Sequence, residues 1–261
     1  MKSSTRLFGA IAGDVIGSRY EWKVCTDPQF PLFSKSSRFT DDTVLTMAVA
    51  DAILGRRGYG EVIVEYARRY PKAGYGSYFR RWLKEDGVTP YNSLGNGSAM
   101  RVSAIGWAFN TVEDVLREAE RSAAVTHNHP EGIKGAQSVA LAIFLARTGV
   151  GKEDIRREIE TRFGYDLRRT LDEIRPTYQW DSTSPGSVPE SIIAFLESTD
   201  YESAVRNAVL LGGDADTMAA IAGSMAEAFF GGVPEGIVAE VRTRLKPELL
   251  DVVEKFAKPC N

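Results

Sequence analysis

The sequence predicts an all-α protein, a compact single-domain multi-helix bundle. Three observations lead there. Apolar residues recur at helical spacing along most of the chain, while alternating strand patterns and a βαβ rhythm are almost absent. No linker or low-complexity segment divides the 261 residues, so residues 1–261 read as one domain. Three stretches, 44–54, 138–145 and 218–229, are apolar nearly all round, which suits helices at the centre of a bundle.

Taken in order, the first helix spans 5–17. Gly13 and Gly17 are four residues apart and share a face on which another backbone can approach closely. Asp14 lies between them, an acid in an apolar helix that requires a partner. Glu21 then heads an irregular stretch, 21–38, and reads either as a plain surface acid or as a mobile acid near a site. Helices are expected at 41–54, 61–70, 77–84, 98–109 and 112–124, the last capped by Thr111 with Glu113 and Asp114 in its first turn. Further helices are expected at 130–147, 152–163, 188–197, 201–211, 216–229, 235–245 and 247–256. Asp200 is placed to cap the helix at 201, and Pro130, Pro189 and Pro247 stand where helices begin and a missing N–H costs nothing. A second long irregular stretch covers 175–187.

Composition narrows the function classes. A net charge of −3, with acids and bases mixed along the chain, leaves no electrostatic footprint for nucleic acid and no polybasic membrane patch. Two cysteines, Cys25 and Cys260, argue against a disulfide framework and fit a reducing compartment. The apolar run 7–16 is short and interrupted by Asp14, which speaks against a signal peptide, and no stretch suits a membrane span. A cytoplasmic protein is expected.

The most informative feature is a pair of acidic helix starts. Thr40-Asp41-Asp42-Thr43 opens one strongly apolar helix and Asp214-Ala215-Asp216-Thr217 another. Aspartate at a helix start is ordinarily a cap, and that reading explains Asp41 or Asp216 alone. It explains less well two aspartates and a threonine in each cluster, because one helix needs one N-cap. Clustered carboxylates also repel and raise each other's pKa without a cation, and neither cluster contains Lys or Arg. Brought together, four carboxylates and the threonine hydroxyls would suit two Mg²⁺ or Mn²⁺ ions.

Two further segments carry polar chemistry. Gly95-Asn96-Gly97-Ser98 turns into a helix, either as an ordinary capped turn or as a cradle of N–H groups for a phosphate. His127 and His129 flank Asn128 before Pro130. Imidazole suits a carboxylate-rich Mg²⁺ site poorly, so His127 is read as a hydrogen-bond donor to a ligand and His129 as a cap or an exposed residue.

In order, Gly13-Asp14-Val15-Ile16-Gly17 with Glu21, Phe39-Thr40-Asp41-Asp42-Thr43, Gly95 to Arg101, Thr126 to Pro130, and Gly212-Gly213-Asp214-Ala215-Asp216-Thr217 resemble the ADP-ribosylglycohydrolase family. That family includes dinitrogenase-reductase-activating glycohydrolases and ADP-ribosyl-arginine and ADP-ribosyl-serine hydrolases. The resemblance runs from about Leu7 to about Gly232. It implies an all-α domain with a dinuclear Mg²⁺ or Mn²⁺ centre in a central cleft. It further implies Thr40, Asp41, Asp42, Asp214, Asp216 and Thr217 as metal ligands, and Glu21 as an acid on a gating loop. Asn96, Gly97 and Ser98 become the phosphate loop and His127 a ligand contact. Ala215 stands where many members have Thr, and Val15 where Ala is commoner.

The implied activity is hydrolysis at C1″ of ADP-ribose, with Glu21, Asp41 or Asp42 as the base, releasing ADP-ribose from an acceptor. That acceptor can be a protein side chain such as arginine or serine, a small molecule or a nucleic acid. Tyr91, Tyr178 and Trp180 are candidates to stack on adenine. Competing readings are a dinuclear hydrolase of a free ADP-ribose derivative or another nucleotide, and a non-catalytic relative such as a lens crystallin. The residues leave the acceptor, the oligomeric state and the choice between the two metals open.

Overall fold

Fifteen helices and no strand run through residues 5–258, which the computed structural model describes. They are α1 (Phe8–Gly17), α2 (Asp41–Gly55), α3 (Tyr59–Arg69), α4 (Ser77–Glu85), α5 (Gly97–Met100), α6 (Ser103–Ala108), α7 (Val112–Ala123) and α8 (Pro130–Arg147). After them come α9 (Lys152–Phe163), α10 (Leu171–Ile174), α11 (Ser184–Leu196), α12 (Tyr201–Leu211), α13 (Ala215–Phe230), α14 (Glu235–Arg242) and α15 (Pro247–Ala257).

The centre of the bundle is α13, packed against α1, α8, α11 and α12. Its residues from Ala215 to Ala228 are all buried, as the all-round apolar pattern requires. α2 and α8 share that character and are also buried along most of their length. The closest approach is between α1 and α13. A Cβ on Gly13 would lie 2.1 Å from the carbonyl oxygen of Ala219, and one on Gly17 would lie 2.4 Å from that of Ala215. Glycine is therefore required on this face of α1, and the contact brings Asp14 beside the start of α13.

Several expected caps are present. The Thr111 hydroxyl accepts from Asp114 N–H at 3.1 Å, and Asp200 accepts from Ser203 N–H at 2.7 Å. Pro130 and Pro247 lie in the first turns of α8 and α15. His129 caps α8, its Nδ1 accepting from Glu131 N–H at 3.1 Å.

Other expectations need correction. α11 begins at Ser184, not 188, because Thr183 caps it by accepting from Gly186 N–H, and Pro189 falls inside the helix. The span 98–109 is two short helices, α5 and α6, separated at Arg101–Val102. α1 begins at Phe8 rather than 5, an unexpected short helix α10 precedes the irregular stretch at 175, and the early start of α11 shortens that stretch to 175–183. Cys25 is a buried free thiol, and Cys260 lies outside the described residues. No described helix is long and apolar enough to cross a membrane.

Candidate metal centre and active site

The starts of α2 and α13 meet in space: Thr217 Oγ1 lies 3.2 Å from Asp42 Oδ2, although the two residues are 175 apart in sequence. Asp14, Asp42 and Asp216 each place an oxygen within 4.8 Å of the others, and so do Glu21, Asp214 and Asp216. Asp216 belongs to both groups and joins them.

Capping accounts for only part of these carboxylates: Asp216 Oδ1 accepts from Thr217 N–H at 3.0 Å. Thr40 is the N-cap of α2, its hydroxyl accepting from Asp42 N–H. The remaining need at that helix start is met from α1. Asp14 accepts from Thr40 N–H at 2.9 Å and Thr43 N–H at 3.1 Å, and both threonine hydroxyls also donate to it. Asp14 is thus a cap supplied across the bundle, which answers its need for a partner. Asp214 stands at the N-cap position of α13 but makes no side-chain capping bond; its Oδ2 accepts from Asn96 Nδ2 at 2.8 Å instead. Asp42 Oδ1 is buried without any hydrogen-bond partner.

Electrostatics sharpen the point. Burial, then the charges of Asp14 and Asp41, push the Asp42 carboxyl well above its usual range. Burial, then Asp42 and Asp214, do the same to Asp216. Burial and the neighbouring Asp14 push Asp41 up to about 8. Glu21 is raised by burial and by Asp214, with Arg38 partly offsetting. Buried carboxylates this close ionise together only with a compensating charge. A hard divalent cation, which takes carboxylate and hydroxyl oxygens, fits the donor set and the orphaned Asp42 oxygen.

The sequence candidates do not all stand alike. Asp42, Asp214, Asp216, Thr40 and Thr217 are buried at the junction. Asp41 stands outside both tight groups, its carboxyl set deep in the wall near Gly74 while part of the residue remains open to the cleft. Successive helical residues point about 100° apart, so Asp41 and Asp42 face different surroundings. Asp14 is the acid that spacing alone did not assign to the junction.

Thr40, Asp41, Asp42, Asp214, Asp216 and Thr217 line a cleft of about 580 Å³, with Asp14 buried and not among the lining residues. Glu21, Trp22, Trp180, Tyr75, Tyr78 and Tyr91 line it together with the Gly95–Gly97 turn and His127. Trp22 and Trp180 stack with ring centroids 5.1 Å apart, joining the two irregular stretches over the cleft. Of the stacking candidates, Tyr91 and Trp180 border the cleft, while Tyr178 turns away and its hydroxyl donates to the Gly186 carbonyl at 3.0 Å.

The glycine turn is not held by an ordinary cap. Asn96 donates to Ser187 Oγ and Asp214 instead of capping α5. Its own N–H is bound to Ser182 O at 2.8 Å, which fixes the turn against the segment leading into α11. Ser98 Oγ donates to the Gly132 carbonyl at 2.7 Å and is buried, so its hydroxyl is already engaged. Only the backbone of Gly97 and Ser98 is left to meet a ligand. His127 is buried at the back of the cleft, and burial together with the charge of Arg101 holds its imidazole well below its usual pKa.

Comparison with known proteins finds relatives along most of the chain. The family model described as ADP-ribosylglycohydrolase matches residues 5–261. The human ADP-ribosylhydrolase ARH3 is 28% identical over 305 aligned positions, covering 86% of this chain and 84% of that protein. The ADP-ribosylarginine hydrolase Tri1 of Pseudomonas putida is 25% identical, covering 94% of this chain and 76% of that protein. A solved structure described as an ADP-ribosylglycohydrolase-related protein complex superposes with a TM-score of 0.71 at 25% identity, covering 98% of this chain and 99% of that one.

Proposed function

The chain belongs to the ADP-ribosylglycohydrolase family, and on that premise we propose that it is a metal-dependent hydrolase cleaving the glycosidic bond at C1″ of ADP-ribose, so that ADP-ribose leaves a modified acceptor. The whole chain is one catalytic domain acting in the cytoplasm. The observation that carries the reading is the meeting of two acidic helix starts around an orphaned oxygen of Asp42, a carboxylate that no capping bond engages.

Asp42, Asp214 and Asp216, with Asp41 and the hydroxyls of Thr40 and Thr217, would hold two Mg²⁺ or Mn²⁺ ions. Bound there, the ions would neutralise the carboxylates and act as a Lewis-acid template for the ribose hydroxyls. The remaining work belongs to the chain. Asn96 holds Asp214 in place through its 2.8 Å bond. The Gly97 and Ser98 backbone and His127 face the diphosphate, and Tyr91 or Trp180 offers a ring to adenine. Glu21, on the cleft wall within 4.8 Å reach of Asp214 and Asp216, is the first candidate for proton transfer. Asp41 is the second candidate for that role.

Arginine is an acceptor to test first, since one relative is named for it. Incubation with ADP-ribosyl-arginine, ADP-ribosyl-serine and ADP-ribosylated nucleic acid, with Mg²⁺, Mn²⁺ or chelator, should release ADP-ribose from at least one substrate only when metal is present. Release from none would defeat the reading. Release only from a free ADP-ribose derivative would move the assignment to a nucleotide hydrolase on the same site.

A further inference from the structure

Arg101 is fully buried where α5 ends, and it carries an unusual burden. Its Nη2 donates to the Ser122 carbonyl at 2.9 Å and to Thr126 Oγ1 at 3.0 Å, while Nε and Nη1 have no partner. No carboxylate is recorded against it among the described residues. A buried guanidinium without an opposite charge is costly, which suggests a purpose other than packing. The residue borders the cleft behind the glycine turn.

Thr126 carries the interaction onward. Its hydroxyl is fully buried and lies 2.7 Å from His127 Nδ1. A guanidinium can only donate, so Thr126 Oγ1 accepts from Arg101. That leaves the Thr126 hydroxyl proton free to be given to Nδ1, one of the two directions open to the contact between them. The histidine backbone is fixed as well, its N–H donating to the Ala123 carbonyl at 2.7 Å. With Nδ1 accepting, the one proton of a neutral imidazole resides on Nε2. Nε2 faces the turn: a Cβ on Gly97 would lie 3.0 Å from it, and one on Gly95 would lie 3.4 Å from it. The ring of Tyr91 packs against the imidazole at 6.0 Å. Burial and the adjacent guanidinium both disfavour a charged imidazole.

We infer that Arg101 is a positioning residue: through Thr126 it fixes His127 as the neutral Nε2–H tautomer, so that the cleft presents an uncharged N–H donor to an anionic oxygen beside Gly97. Taking that oxygen as part of a diphosphate rests on the proposed function. The tautomer does not.

The chain has only two histidines, so a side-chain ¹⁵N–¹H correlation spectrum of the full-length, metal-free protein contains two imidazoles to assign. His127→Gln identifies the relevant one. His127 should show a bare Nδ1 and a protonated Nε2, unchanged from about pH 5 to pH 8. Thr126→Val should spread the proton over both nitrogens, and Thr126→Ser should restore the wild-type pattern. Arg101→Lys, which keeps a donor and a charge, should lie between. A proton on Nδ1 in the wild type, or an unchanged pattern in Thr126→Val, would overturn the inference.

Calorimetry with ADP-ribose and Mg²⁺ provides the second readout. Thr126→Val should weaken binding about tenfold, the scale of one hydrogen bond to a charged group, and Thr126→Ser should recover most of that. Equal affinity in the folded Thr126→Val variant would count against the positioning role. If wild type itself failed to bind ADP-ribose, the proposed function would fall, while the tautomer assignment would stand or fall on the spectrum alone.

Discussion

α1 and α13 bring buried acids to both ends of one close-packed pair, and the two ends differ in what surrounds those acids. At one end, Asp14, Asp42 and Asp216 converge under an open cleft. At the other, Glu227 of α13 is 1% exposed against the first turn of α1, where a Cβ on Gly9 would lie 2.5 Å from Glu227 Cβ. Burial pushes the Glu227 carboxyl up to about 8, although the N–H groups around Leu7 to Gly9 face it and favour the ionised form. Neither of its oxygens completes a hydrogen bond. A single enclosed carboxyl resolves its burial by holding a proton. Several carboxyls sharing one opening can be relieved together by cations from solvent. A raised carboxyl is therefore a poor sign of function by itself; number, mutual approach and an entrance distinguish the cleft from the Glu227 end.

The largest expected effect would break the comparison if it failed. Asp216→Asn should lower kcat/KM by about a thousandfold or more, the scale of losing several kcal/mol of Lewis-acid stabilisation. Glu227→Gln should leave turnover within about twofold, because no step uses that carboxyl. Equal losses in steady-state assays of the two variants would erase the distinction between the two ends.

The next effect belongs to the closed end. The Glu227 folded-state pKa of about 8 lies above its ordinary 4.5. Its stabilising contribution is complete below the ordinary value and is lost as pH rises through the interval to about 8. Wild type should accordingly lose stability relative to Glu227→Gln over that interval, by up to roughly 5 kcal/mol, and then level off. Urea titrations of both proteins at a series of pH values read this directly. A constant difference across the range would show that the carboxyl does not change its protonation on folding.

Mg²⁺ should stabilise the open end only. At a hundredfold excess over its dissociation constant it should add about 2.7 kcal/mol. Thermal scans should show this shift in wild type and Glu227→Gln and lose it in Asp42→Asn. The smallest effect tests the contact that aligns both ends. Gly13→Ala places a methyl 2.1 Å from a backbone oxygen and should cost about 2 kcal/mol in the same urea assay.

The all-α architecture and the central helices were legible because α2, α8 and α13 carry uninterrupted apolar surfaces and recognisable starts. The two acidic clusters were legible as chemistry, but spacing along a chain does not say that α2 and α13 begin at one point; the likeness to a family supplied that expectation. Asp14 was seen to need a partner, yet only packing through Gly13 and Gly17 shows that the partner is the start of α2. Pro189 misled because proline is tolerated at helix starts, and Thr183 had already started α11 earlier. The break between α5 and α6 left no glycine or proline signal, since it follows Arg101, whose guanidinium is drawn inward to Ser122 and Thr126. Asn96 looked like a cap and is instead a tether for Asp214, a role set by a residue far away in sequence.

The central claim is that the starts of α2 and α13 form one dinuclear site. Electron paramagnetic resonance of the full chain titrated with Mn²⁺ tests it most directly. Two ions per chain should bind and show the magnetic coupling of a close pair. Asp42→Asn and Asp216→Asn, on different helices, should each abolish that coupled signal. Two uncoupled ions, each lost with only one of the variants, would mean two separate acidic helix starts and would contradict the account.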